Sequence, residues 1–213
     1  MRTLTKGLEP HQVSAWKKKA NEDWKPEYAN LCNPEKQLLH EQLLREQFFC
    51  CCYCGREITI KDSHIEHFRP QSSFTHLELD YQNLHASCIR QTNPETPLHC
   101  GHKKGNWFDE SAYLSPLDPG CEARFRYLLN GEIQPAARAD RQASQMIEIL
   151  ALDIAYLNNR REEILLGMFD DQFLLTASQQ ELTSIIEQIQ RPANGSLSPF
   201  SHVVARFATQ LVG

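Results

Sequence analysis

The stretch Cys51–Pro70, CCYCGREITIKDSHIEHFRP, sets a Cys-x-x-Cys pair just ahead of a cluster of histidines and a glutamate. Two thiolates at this spacing, on a tight turn closed by Gly55, present both sulfurs to one tetrahedral ion; zinc takes four such ligands at ~2.3 Å. One pair is half a site. Cys88 and Cys100 supply the other half, and the insert between them, 89–99, carries Pro94 and Pro97 and reads as a loop that bulges out and returns. Cys50, Cys52 or His99 are alternatives for one position. A redox role fits less well. A thioredoxin-type pair opens a helix, whereas Glu57–Ile60 reads as a short strand.

The second half of the stretch carries different chemistry. Side chains alternate along a strand, so His64 and Glu66 share one face and His67 falls opposite unless the strand ends there. Pro70 indicates that it does. A carboxylate beside an imidazole divides labour well: the first binds a divalent ion, the second takes a proton from water. Taken alone, the cluster also fits a solvated surface.

Outside this stretch the chain is ordinary. It has 213 residues, 41% hydrophobic and 23% charged, enough for one core or for a small module inside a helical frame. No apolar run approaches the roughly 20 residues of a membrane span. The opening MRTLTKGLEPHQ lacks the apolar run of a secretion signal. A cytoplasmic location is expected, with no membrane partner. In that reducing compartment eight cysteines indicate metal and not disulfides. Cys32 and Cys121 stand apart and are expected to be buried as small hydrophobes. The net charge of -5 is wrong for a protein that grips nucleic acid with its whole surface. Such a role needs a local basic patch, such as Lys17–Lys19 or Lys103–Lys104, or a partner that supplies the grip.

The pattern divides the chain into four parts. Residues 1–49 are expected to be helical, with Asn33 capping a helix that has Pro34 at its first position and Leu38, Leu39 and Leu43 on its apolar face. Residues 50–110 form the Cys- and His-rich module. Residues 111–135 form a linker and a hairpin marked by Asn130–Gly131. Residues 136–213 are helical again: Met146 to Leu165 at helical spacing, a further helix starting after Thr176 or Ser178 and ended by Pro192–Gly195, and a last one from Ser201 to Leu211. The fold class is α+β, mostly α.

The ordered motifs carry a resemblance. Cys51-x-x-Cys54-Gly55, the acidic-His-x-x-Pro step Glu66-His67-Phe68-Arg69-Pro70, Asn83-Leu84-x-x-x-Cys88 and Cys100-x-x-x-Lys104-Gly105 together resemble the HNH endonuclease family. IEHFRP, Tyr81-x-Asn83-Leu84, HCGHKKGN and MRTLTKGLEP resemble the PtuB-type members found in Septu and retron antiphage defence systems. The resemblance implies a ββα-metal (HNH) module with a structural Zn2+ site, set in a helical frame and holding one catalytic divalent ion, commonly Mg2+. By motif position it makes His67 the general base, Glu66 the first metal ligand, and Asn83 the residue that orients the loop carrying the base. His102 is the third motif residue and second metal ligand, with His85 and Asn106 as alternatives and His64 as a possible helper for metal or phosphate. Relatives place Asn or His directly after the fourth cysteine; here Gly101 stands there.

The resemblance also implies partners: a PtuA-type ATPase, a nucleic-acid substrate, and a retron reverse transcriptase with its nucleic acid. No Walker-A stretch is present, so this chain is not its own P-loop ATPase. DNA is the family default substrate and RNA such as tRNA is an alternative. The competing reading is a non-catalytic, zinc-stabilised module that binds nucleic acid or the partner.

Overall fold

The computed structural model describes residues 1–212. The N-terminal part holds two helices, α1 (His11–Lys17) and α2 (Glu35–Glu46), joined by a loop whose Trp24 meets Trp16 of α1 edge to face at 5.5 Å. It is therefore less helical than the composition suggests. Pro34 itself occupies the N-cap of α2, and Asn33 makes no capping bond. Leu39, Leu43 and Leu44 bury the inner face of α2, each contributing about 2 kcal/mol by removal from water.

The expected strand at Glu57–Ile60 is only a single bridge, Cys50 to Glu57. Asp62 breaks it. Its Oδ1 accepts from the Thr59 amide at 2.6 Å and from the Thr59 hydroxyl at 2.8 Å, which turns the chain before a strand can propagate. The strand proper is β1 (Ser63–His67). It pairs antiparallel with β2 (Leu84–Cys88), His64 opposite Ser87 and Glu66 opposite His85. The short helix α3 (Cys100–Lys104) follows the 89–99 insert and packs on the hairpin.

A second hairpin, β3 (Phe125–Tyr127) with β4 (Ile133–Pro135), contains Asn130–Gly131 inside the longer loop 128–132. Gly131 is required there: its φ is +77°, and a Cβ would lie 2.0 Å from the Asn158 carbonyl oxygen.

The next stretch is two helices, α4 (Arg141–Ile149) and α5 (Ala155–Met168), and not one. The break serves the module. The Leu150 carbonyl accepts the Cys100 amide at 2.8 Å, and the Leu152 carbonyl is bound by the buried Arg161 guanidinium, which also donates to Gly131 O at 2.7 Å. Then come α6 (Asp171–Thr176), α7 (Gln179–Ile189) and α8 (Ser201–Val212). Ser178 starts α7 through a capping box with Glu181.

One buried cluster gathers Leu43 of α2, Leu84 of β2, Phe125 of β3, Met146 of α4, Leu157 of α5 and Val203 of α8, so the β1–β2–α3 unit leans on a shared core. Among the described residues no helix is long and apolar enough to cross a membrane.

Candidate functional site

The cysteines come together first. Cys51 and Cys54 sit on a knuckle closed by Gly55 N–H to Cys51 O at 3.0 Å and Cys51 N–H to Arg56 O at 2.8 Å. Cys88 ends β2 and Cys100 begins α3. Their four Sγ atoms lie within 4.8 Å of one another and all four residues are buried. The Cys54–Cys88 separation is 3.8 Å, which matches the sulfur–sulfur spacing of about 3.8 Å that ~2.3 Å bonds to a tetrahedral zinc require. Gly55 (φ +77°) cannot be replaced cheaply, because a Cβ would meet the His202 ring at 2.2 Å.

Burial opposes ionisation of Cys51, yet hydrogen bonds from Cys100, Cys52, Cys54 and Cys88 outweigh it and hold that thiol well below its ordinary range. Burial opposes ionisation of Cys100 too, and there the neighbouring thiols push the same way. This set can hold a metal ion such as zinc. Cys50 is not part of it and turns to Leu197 O. His99 borders it, its Nδ1 3.1 Å from Cys100 Sγ, with Tyr156 stacked on its ring. The 89–99 insert loops outward as expected, and Cys121 is buried. Cys32 is exposed, contrary to expectation: in the loop before α2 its neighbour Leu31 takes the core position.

Beside the cysteine cluster, a cavity of about 220 Å³ is lined by His64, Glu66, His67, His102 and Asn106 among others. Glu66 and His64 share a face of β1, as alternation demands, and Glu66 Oε2 lies 3.3 Å from His64 Nε2. Glu66 Oε1 accepts from Tyr53 at 3.1 Å and pairs with Lys104 at 2.9 Å. Burial would keep a proton on Glu66, but the His64 hydrogen bond and the Lys104 charge outweigh it and hold the carboxyl below its ordinary range. His64 Nδ1 donates to Ile89 O at 2.7 Å, so Nε2 is the nitrogen turned to the carboxylate.

His67 stands at the strand end. Its Nε2 lies 2.9 Å from Glu78 O. A carbonyl only accepts, so Nε2 carries the hydrogen and Nδ1 is the basic nitrogen. Burial lowers its pKa and keeps the ring neutral, and Tyr28 meets the ring edge-on at 4.5 Å. Asn83 grips the turn that follows. Its Oδ1 accepts from Arg69 N at 2.7 Å, and its Nδ2 donates to Arg69 O at 3.0 Å and to Leu77 O at 3.1 Å.

His102 packs against the His64 ring at 4.6 Å, and its Nε2 is buried without a protein partner. His85 faces Glu66 across the ladder but is wholly buried against Phe68 and does not line the cavity. Asn106 lines the cavity from beyond the end of α3.

Gly101, where the resemblance leads one to expect Asn or His, has a reason here. A Cβ at that position would lie 2.4 Å from Glu66 Oε2 and 2.9 Å from His64 Nε2. The helix approaches the carboxylate so closely that a larger residue would have to push the Glu66 and His64 side chains aside.

The donor set of one carboxylate, the imidazole Nε2 of His64 and the unpartnered Nε2 of His102 suits a divalent ion in kind. It is not gathered as tightly as the thiols: among the described residues the four cysteines are the group whose ligand atoms already converge.

Sequence reasoning missed two contacts, Lys104 on Glu66 and Tyr28 on His67. The Lys104 signal was present in the Cys100-x-x-x-Lys104 spacing, one helical turn that returns the lysine to the face of the cysteine. Tyr28 left no local signal.

No family model matches the chain. Over 126 residues it is 29% identical to a Vibrio cholerae serotype O1 biovar El Tor protein named "Retron Vc95 putative HNH endonuclease", covering 58% of this chain and 58% of that protein. The chain thus spans little more than half the length of the curated relative it matches, and the likeness supports an HNH relationship.

Proposed function

We propose that the chain is a metal-dependent HNH endonuclease that hydrolyses phosphodiester bonds, with β1, β2 and α3 forming its ββα-metal module and the four cysteines its structural zinc site. The observation that carries this is the convergence of Glu66, His64, His67 and His102 on one cavity while Asn83 pins the turn after His67.

In this reading His67 Nδ1 accepts the proton of the attacking water. Glu78 fixes its tautomer through Nε2, and Asn83 fixes the backbone that aims it. Glu66 and His102, with His64 assisting, would hold the catalytic ion, Mg2+ or a similar divalent cation. Bound there, such an ion supplies Lewis-acid stabilisation of the phosphate charge that develops in the transition state. Glu66 Oε2 and His64 Nε2, 3.3 Å apart, would both become available to such an ion once the hydrogen bond between them opens.

The likeness to a retron protein supports a role as effector in an antiphage system of retron or Septu type. A PtuA-type ATPase, and in a retron the reverse transcriptase with its nucleic acid, would be the partners. DNA is the first substrate to test and tRNA the second.

One observation favours the non-catalytic reading: Glu66 is already satisfied by Lys104, Tyr53 and His64. The deciding experiment presents plasmid DNA and total tRNA to the zinc-loaded chain, alone and with its ATPase partner, with and without Mg2+ or Mn2+. Divalent-dependent cutting of either substrate is expected. A folded complex that cuts neither under any of these conditions would leave only a binding module.

A further inference from the structure

A second cavity, of about 450 Å³, adjoins the first. It is lined by the consecutive residues Ser63, His64 and Ile65, and the first cavity by the consecutive residues His64 to His67. Side chains on one face of a strand come at alternate positions, so consecutive lining residues mark the edge of a strand and not a face. β1 pairs with β2 on one side only. The two cavities are therefore successive parts of one trough along the free edge of β1, sharing His64 and Ile65.

The second part of this trough is basic in a chain whose net charge is -5. Lys36 of α2, Lys61 of the turn before β1 and Arg90 of the insert after β2 line it, and no Asp or Glu does. Asp62, next in sequence to Lys61, is turned away onto Arg56 and Thr59. Lys36 lies over the Tyr28 ring, 4.6 Å from its centroid, and Tyr28 in turn abuts His67. Three separate segments thus bring cations to one groove that ends at the candidate catalytic residues.

We propose that this groove is the binding path of the substrate strand's sugar-phosphate backbone beside the bond to be cut, with Lys36, Lys61 and Arg90 as phosphate-positioning residues. It rests on the nuclease reading above, and it gives an acidic chain the local grip that its composition denies it. Phosphate contacts fix register and orientation without reading sequence, which suits three cations from three segments.

The test is binding, read without cleavage. Fluorescence anisotropy of labelled mixed-sequence DNA and RNA oligonucleotides is measured across a salt series, with no divalent ion added. The parent chain is compared with the triple variant Lys36→Gln, Lys61→Gln, Arg90→Gln, and with the charge-matched control Arg138→Gln, Arg141→Gln, Arg191→Gln, three exposed cations outside the groove and both lysine patches. Equal melting temperatures establish that each variant is folded.

Each lost phosphate contact flattens the slope of log affinity against log salt by about 0.7 on single strands and about 0.9 on duplex. The groove variant should flatten it by about 2 to 3 units and the control by much less. Equal flattening in both variants overturns the groove in favour of diffuse attraction. An unchanged slope in the groove variant overturns it while leaving the nuclease reading intact. No binding by the parent chain overturns the groove as a grip and leaves the cleavage assay to judge the nuclease.

Discussion

Lys104 Nζ lies 2.9 Å from Glu66 Oε1, with the two side chains only 2% and 8% exposed. The same ammonium donates to the main-chain oxygens of His67 at 3.1 Å and Gly105 at 3.3 Å. One lysine therefore ties α3 to the acidic and basic members of the His-Glu-His cluster. Removing one partner of a buried pair strands the other charge and costs about 3–5 kcal/mol, whereas removing both costs far less. Lys104→Met should lower unfolding free energy by about 3 kcal/mol, with His64 and Tyr53 still holding Glu66. The double variant Lys104→Met, Glu66→Gln should recover a good part of it. Urea denaturation of the four proteins in the cycle measures this, and strict additivity of the two single losses would refute the coupling.

Gly101→Ala places a Cβ against Glu66 Oε2 and His64 Nε2. α3 is anchored at Cys100, and the carboxylate is tied by Lys104, Tyr53 and His64, so a shift of either breaks existing bonds. The expected cost is about 1–3 kcal/mol of overpacking, with loss of cleavage and retention of zinc. Full activity at unchanged melting temperature would show that the helix does not approach as described.

Asn83→Ala removes three hydrogen bonds that pin Arg69 and Leu77. Hydrogen exchange at the Arg69 amide should speed up strongly, at a stability cost of about 1–3 kcal/mol. Activity should fall without any change in zinc content. An Arg69 amide that stays protected would assign the turn's rigidity to other contacts.

The fold and the site were legible to different degrees. The cysteine set could be read because thiolates at short spacing have few other uses in a reducing compartment, and the four sulfurs do converge. The His64–Glu66 face followed from strand alternation. The turn at Asp62 was missed because Glu57–Ile60 has strand composition, and the Asp62 carboxylate overrides it by bonding the Thr59 amide. The break between α4 and α5 was invisible because its cause is tertiary: the Leu150 and Leu152 carbonyls are needed by Cys100 and Arg161, far away in sequence or beyond the next helix turn. Tyr28 reaches His67 by the same kind of long-range packing.

Zinc should be stoichiometric and structural. Elemental analysis should find about one zinc per chain, and Cys88→Ser should lower it and destabilise the β1–β2–α3 unit. A chain that melts at the same temperature after chelation would contradict the assignment.

Stability should fall in acid. Burial pushes His85 down to about 3 and His40 down to about 4, so both are neutral when folded. The unfolded chain takes up these protons near pH 6.5, so it binds more protons than the folded one below that pH, and stability rises with pH through the window. The contribution is complete above about pH 6.5 and is lost as pH falls toward 4 and 3. The wholly buried His85 accounts for about 1.4 kcal/mol per pH unit within its window. His85→Phe should flatten the acid limb of a pH–stability profile, and an unchanged limb would exclude His85 as its source.

The most direct test of the central claim is a cleavage assay with one substitution. Zinc-loaded wild type and His67→Ala, matched in melting temperature and zinc content, are offered plasmid DNA and total tRNA with Mg2+ or Mn2+, alone and with the proposed ATPase partner. The account predicts divalent-dependent cutting by wild type and a loss of about 100-fold or more in the variant, the scale of a missing general base. Cleavage that persists undiminished in His67→Ala would contradict it.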